Sequence, residues 1–191
     1  MVQASENDPK DALAWYSKEF TAAGMSNAAS GADTLRHLFV LLVGLGMRES
    51  SGRYCEGRDR SAHNVTADTA EAGLFQSSFN TCSTDPLLRA IFDRYAAKPS
   101  GFVAYFSEGV TCKAADWENY GTGDGEQFQS LTKSCPAFGA EFAALGVRKN
   151  RPGWGTINGR TVEIRSDCDT MLMAVQQLVG SSPQLALALQ S

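Results

Sequence analysis

Leu38-Phe39-Val40-Leu41-Leu42-Val43-Gly44-Leu45-Gly46-Met47-Arg48-Glu49-Ser50-Ser51-Gly52 passes from an almost unbroken apolar run into a turn. Drawn as a helix, 38–47 carries apolar residues on nearly every face, so it belongs at the centre of a core rather than on its surface. The run is too short to cross a bilayer, which takes about 20 residues. Glu49 therefore leaves a buried helix at the edge of the core. Burial disfavours the charged form of a carboxyl group, the condition a general acid working near neutral pH requires. A negative charge near a helix C-terminus is also unfavourable in the field of the helix, which argues against accidental placement. The plainer alternative is an ion pair with Arg48 or Arg53.

Upstream, Asp8-Pro9 followed by Ala12, Leu13, Trp15, Tyr16 and Phe20 predicts an amphipathic helix ending near Gly24, with Ser30 or Asp33 capping the central helix. Downstream, residues 50–72 are polar, without either periodicity, and read as a long loop of the kind that carries function. Asp85-Pro86 opens a helix stopped by Pro99 and Gly101. Phe128, Leu131, Phe138, Phe142 and Leu145 suggest helix broken or kinked at Pro136. Residues 151–160 read as a loop, Thr161–Arg165 alternates like a short strand, and Asp167 caps a last helix that Leu185–Leu189 extends or leaves. The fold class is mainly α with little or no sheet.

The chain has 191 residues, enough for one well-buried core. A single domain over 1–191 is expected, with an N-terminal helix and turn at 1–30, a catalytic core at 31–110 and a C-terminal helical part at 111–191. A net charge of -4 and a pI near 5.2 offer no basic field to neutralise phosphates, which excludes nucleic acid as a partner. Cys55, Cys82, Cys112, Cys135 and Cys168 include no C-x-x-C pair, so no zinc site is read, and no cofactor is called for. No signal peptide is visible at the N-terminus. The cysteines favour a mature export product, secreted or periplasmic, over a cytosolic protein. Cys55 and Cys82 flank the polar loop, and a bridge between them would staple it; the alternative is five reduced thiols.

About twenty residues beyond Glu49 stands Glu71-Ala72-Gly73-Leu74-Phe75-Gln76, and then Ala104-Tyr105-Phe106-Ser107-Glu108-Gly109. This ordered set resembles the lysozyme-like superfamily, specifically soluble lytic transglycosylases and goose-type lysozymes. Those proteins carry a catalytic Glu-Ser at a helix end, a Gly-Leu-Met-Gln motif and an Ala-Tyr-Asn-Ala-Gly segment. The third match departs from the pattern: Phe106 replaces Asn, and one residue is inserted before Gly109. The resemblance spans about 35–110 and does not reach the C-terminal third. It implies a lysozyme-like helical domain with Glu49 as catalytic acid, and Ser50, Gln76 and Tyr105 at the substrate. It also implies a peptidoglycan or related β-1,4 amino-sugar polymer as partner. From the sequence itself a monomer that does not span a membrane is expected.

Glycosidic cleavage needs a protonated acid at the leaving oxygen, and inverting hydrolysis adds a second carboxylate about 6.5–9.5 Å away. Glu71 is the first choice for that carboxylate and Asp68 the next, with Asp59 in the same loop; each could instead be a turn former or a partner of Arg53, Arg58 or Arg60. A transglycosylase is expected, by resemblance, to use one Glu as acid and then base while the sugar's own hydroxyl attacks. His37 reads as a satisfied core histidine, and a Cys55–His63 nucleophile pair is the weaker alternative. Ser77-Ser78 lacks the G-x-S-x-G elbow of a serine hydrolase. Trp117, Tyr120 and Trp154 stand in glycine-bearing loops, where they could stack on sugars or pack in the core. The competing function is a non-catalytic module, a lysozyme-like scaffold for glycan binding or a secreted virulence protein. Chitin is the lesser alternative substrate.

Overall fold

A computed structural model describes residues 1–58, 60, 66–98 and 110–182. Asp59, His63, Tyr105, the 104–109 segment and Leu185–Leu189 lie outside the described residues. The molecule is mainly helical, and its β pairing among the described residues is one isolated bridge, Ala72 with Ser77. None of its helices is long and apolar enough to cross a membrane, again among the described residues.

The central helix is α3 (Ala32–Ser50). Leu38, Leu41, Leu42 and Leu45 are buried while Phe39, Val43 and Met47 keep an exposed strip. Each such leucine contributes about 1.5–3 kcal/mol by leaving water. Neither expected cap is used. Gly31 occupies the N-cap, Ser30 Oγ accepts from the Ala4 amide at 2.9 Å, and Asp33 pairs with Arg36. His37 is buried, with Nδ1 2.8 Å from Asn27 Oδ1, as expected of a core histidine.

The expected N-terminal helix is split into α1 (Ala12–Trp15) and α2 (Ser17–Ala22), with Asp11 capping the first. The break at Tyr16 buries that ring completely and sets its hydroxyl 3.2 Å from the Val162 amide. This bond also explains why Thr161–Arg165 is not a strand. Val162 is buried between exposed neighbours, as alternation predicts, but its amide is bonded to a tyrosine hydroxyl and no strand among the described residues lies beside it.

α4 (Pro86–Ala97) is capped by Asp85 as its Asp-Pro start predicts. Pro136 divides the next stretch into α5 (Asp124–Ser134) and α6 (Pro136–Lys149), the chain leaving helical geometry at Cys135. The predicted loop 151–160 is a 3₁₀ turn, Arg151–Gly153, followed by the one-turn α7 (Gly155–Asn158). α8 (Ser166–Ser181) has Arg165 at its N-cap and Asp167 inside its first turn, and docks on α3 through Arg36, which holds Asp169 at 2.6 Å and Gln176 at 2.8 Å.

Two cores result, and α6 serves both. Ala143, Ala144 and Val147 join the largely aliphatic core of α1–α3 with Trp154 and Ile157. Phe138, Phe142 and Leu145 join an aromatic core with Leu88, Phe92 and Phe128, whose rings meet at centroid distances from 4.9 to 6.4 Å. The disulfide joins Cys55 to Cys112, which overturns the Cys55–Cys82 pairing. Cys82 is packed in the aromatic core instead, and burial pushes its thiol up to about 12.

Candidate functional site

α3 ends where Ser51 turns left-handed (φ 55°) and the Ser51 and Gly52 amides fold back onto the Met47 and Gly46 carbonyls. This leaves Glu49 half-buried in the last turn. Opposite lies a tight hairpin. Ala72 and Ser77 exchange amide bonds of 3.0 and 3.3 Å, and the turn Gly73-Leu74-Phe75-Gln76 closes with the Gln76 amide 3.2 Å from the Gly73 carbonyl. Gly73 has φ 77°, and a Cβ there would stand 2.8 Å from Thr132 Cβ and 2.9 Å from the Thr132 carbonyl oxygen. The glycine of the motif is required twice, by its backbone and by its close approach to α5.

Ser50 joins helix to hairpin. Its hydroxyl lies 2.9 Å from both the Gly46 and Leu74 carbonyl oxygens, and the residue is buried. It lies beneath the site as a tie, where the resemblance implied contact with substrate. The loop after α3 is tied to the same hairpin by the Gly73 amide, which donates to the Glu56 carbonyl at 2.8 Å. It is buttressed from behind by Cys55–Cys112 and by Arg53, which pairs with Glu56 at 3.1 Å and Asp116 at 2.7 Å. Lys133, fully enclosed, donates to the Asp116 and Glu118 carbonyls at 2.9 and 3.0 Å. That enclosure disfavours its charge and lowers its pKa.

Glu49 opens into a cleft of about 250 Å³. One side is Glu71, Phe75, Gln76, Ser77 and Ser78; the other is Gly153, Trp154, Gly155 and Thr156. Thr156 Oγ1 donates to Glu49 Oε1. Among the described residues no other hydrogen bond and no ion pair reaches the Glu49 carboxylate, and Arg53 is taken by Glu56 and Asp116. Glu71 is exposed and shares the cleft with Glu49, the two being its carboxylates. Asp68 does not line it. Asp68 sits on the turn packed against the start of α5, where Ala67 and Asp68 backbone atoms come within 2.6 Å of a Cβ built on Gly125.

Gln76 lines the cleft with φ 44°, a left-handed conformation uncommon outside glycine and concentrated at functional sites. Its amide donates to the Gly73 carbonyl at 3.0 Å, which leaves Oε1 as an acceptor. Trp154 borders the cleft, yet it is only 7% exposed and its indole rests on Gly146, where a Cβ would lie 2.7 Å from Cζ2. Trp117 and Tyr120 are exposed but belong to the 112–120 segment and do not line the cleft.

Sequence reasoning missed Thr156. Its available signal was position: a threonine beside Trp154 in a glycine-bearing stretch whose loop character was overstated. Among the described residues no group of three or more His, Cys, Asp or Glu is placed to hold a metal ion. The arrangement can present the half-buried Glu49 carboxyl group, without a cationic partner among the described residues, to a ligand held between the two walls. Compared with protein-family models, with curated proteins and with solved structures, the chain matches none.

Proposed function

We propose that the chain cleaves the β-1,4 bond between the amino sugars of peptidoglycan, with Glu49 as general acid. The observation that carries this reading is Glu49 itself: a half-buried carboxylate in a cleft, bonded to a neutral hydroxyl and to no cation among the described residues. A structural carboxylate at a helix C-terminus ordinarily sits with a basic partner, because the helix end repels it. Glu49 protonates the leaving oxygen; in transglycosylation the sugar's own hydroxyl then attacks the anomeric carbon as its proton returns to Glu49, closing an anhydro ring. Gln76 Oε1 accepts from the sugar. Glu71 decides the variant of the chemistry: as a base it would activate water for hydrolysis, and as a rim residue it would only bind. The disulfide supports an exported protein.

Glu49→Gln tests the acid. General acid catalysis is worth roughly 10²- to 10⁴-fold, and turnover of purified peptidoglycan is expected to fall by that factor. Equal clearance by the variant, or no clearance by the parent protein, rejects the reading. Mass spectrometry of the products from Glu71→Gln then divides the class. Anhydro-muropeptides at near-parental rate mean transglycosylation, and loss of reducing-end products means hydrolysis.

A further inference from the structure

We propose that Thr156 is a positioning residue for Glu49, assigning the reacting proton to one carboxyl oxygen; the inference rests on the reading of Glu49 as general acid. Thr156 Oγ1 donates to Oε1, and no other hydrogen bond among the described residues reaches the carboxylate. A donor at Oε1 disfavours a proton on that oxygen. The proton therefore goes to Oε2, the oxygen left for a glycosidic leaving group. The bond survives both protonation states, since Oε1 is an acceptor in the carboxylate and the carbonyl oxygen of the acid. It is stronger to the carboxylate, as hydrogen bonds to ionised groups are.

The hydroxyl is delivered by a segment other than α3, the 151–160 stretch packed on the same core. Ile157, its neighbour, is completely buried in the aliphatic core. Arg151 and Arg160 bracket the Trp15 ring at 4.0 and 4.1 Å, closing the 151–160 segment onto α1. Arg151 also donates from Nε to the Pro9 carbonyl at 2.7 Å, and Arg160 to the Trp15 carbonyl at 2.9 Å. Trp154 is seated on Gly146 of α6. A threonine held in this way acts on Glu49 from outside its own helix, so the carboxyl group is oriented by two elements at once.

Thr156→Val removes the donor at nearly constant volume, and Thr156→Ser keeps it. The pH–rate profile of each is compared with that of the parent protein, alongside a ¹³C-carboxyl NMR titration of Glu49. Thr156→Val is expected to lose roughly tenfold in kcat, the worth of one oriented hydrogen bond, with KM within about twofold. Because the lost donor favoured the ionised form, the alkaline limb and the NMR midpoint should both move to higher pH. Thr156→Ser should keep both in place. An unmoved limb and midpoint in Thr156→Val, or a Ser variant as impaired as the Val variant, overturns the proposal. Should Thr156→Val fail to fold, Thr156→Ala is read by the same two criteria. If the parent protein cleaves no glycan, the acid reading of Glu49 falls by itself. The NMR midpoint then judges Thr156 alone: an upward shift upholds its control of Glu49, and coincident titrations reject it.

Discussion

The two walls of the cleft are held by different physics. The wall of Glu49 and the 72–77 hairpin is tied by short hydrogen bonds onto backbone groups: the Ser50 hydroxyl to the Leu74 carbonyl, the Gly73 amide to the Glu56 carbonyl, and Ala72 with Ser77. The wall of Gly153–Thr156 is held largely through side-chain stacking, with Trp154 on Gly146 and, from the far end of the chain, Trp15 between Arg151 and Arg160. Backbone ties are short, directional and intolerant of displacement. Side-chain stacking tolerates small shifts and gives up energy gradually. The first wall should therefore fail abruptly and the second by degrees.

The largest expected effect falls on the first wall. Cys55–Cys112 closes 57 residues of chain, and constraint of the unfolded state over such a loop is worth about 4 kcal/mol. The Cys55→Ser/Cys112→Ser double variant should lose close to that amount in denaturant unfolding, with a larger m-value because the unfolded chain without the cross-link exposes more surface. It should also lose activity in proportion to the loosening of Glu56 against Gly73. A stability change below about 1 kcal/mol would mean that Arg53, Lys133 and the hairpin already hold the loop.

Gly73→Ala comes next. A left-handed φ of 77° costs an alanine about 1–2 kcal/mol. The Thr132 carbonyl oxygen, 2.9 Å from the new Cβ, is backbone inside α5 and cannot step aside, adding about 1–3 kcal/mol. A loss of roughly 3 kcal/mol is expected. Ser50→Ala is smaller, about 1–2 kcal/mol, for a part-buried Leu74 carbonyl stripped of its donor. A Ser50→Ala variant that melts like the parent would show that the helix and hairpin are held by packing and not by this bond.

The same contrast explains what could be read in the sequence. The first wall is written in consecutive residues: an apolar run sets α3, Glu-Ser-Ser-Gly sets its end, and Gly73-Leu74-Phe75-Gln76 sets the turn. Local rules suffice there. The second wall is written in pairs far apart, such as Arg151 with Pro9 and Arg160 with Trp15. A one-turn helix such as Gly155–Asn158 is too short for any periodicity, so 151–160 reads as loop. Cys112 was unreadable as the partner of Cys55 for the same reason, since pairing depends on where the chain returns. Asp68 and Glu71 look equivalent in composition. They differ because the Ala67 carbonyl accepts from Gln129 while the Ala72–Ser77 bridge carries Glu71 to the cleft.

Gly146→Ala probes the second wall and should have the smallest effect on stability. The new Cβ would meet Trp154 Cζ2 at 2.7 Å and Cε2 at 3.1 Å, a contact that costs about 1–3 kcal/mol if nothing moves. Alanine is better than glycine inside a helix by about 1 kcal/mol, which offsets part of this. The atoms in the way belong to a side chain, and the indole can tilt toward the cleft it borders. Unfolding free energy should therefore drop by only about 1 kcal/mol, while the tryptophan fluorescence and the KM for glycan change, because Trp154 moves together with its neighbours Gly155 and Thr156. A drop as large as that of Gly73→Ala would mean the second wall is as rigid as the first. Unchanged fluorescence and KM would mean that α6 itself yields, and that Trp154 is anchored by more than the surface of Gly146.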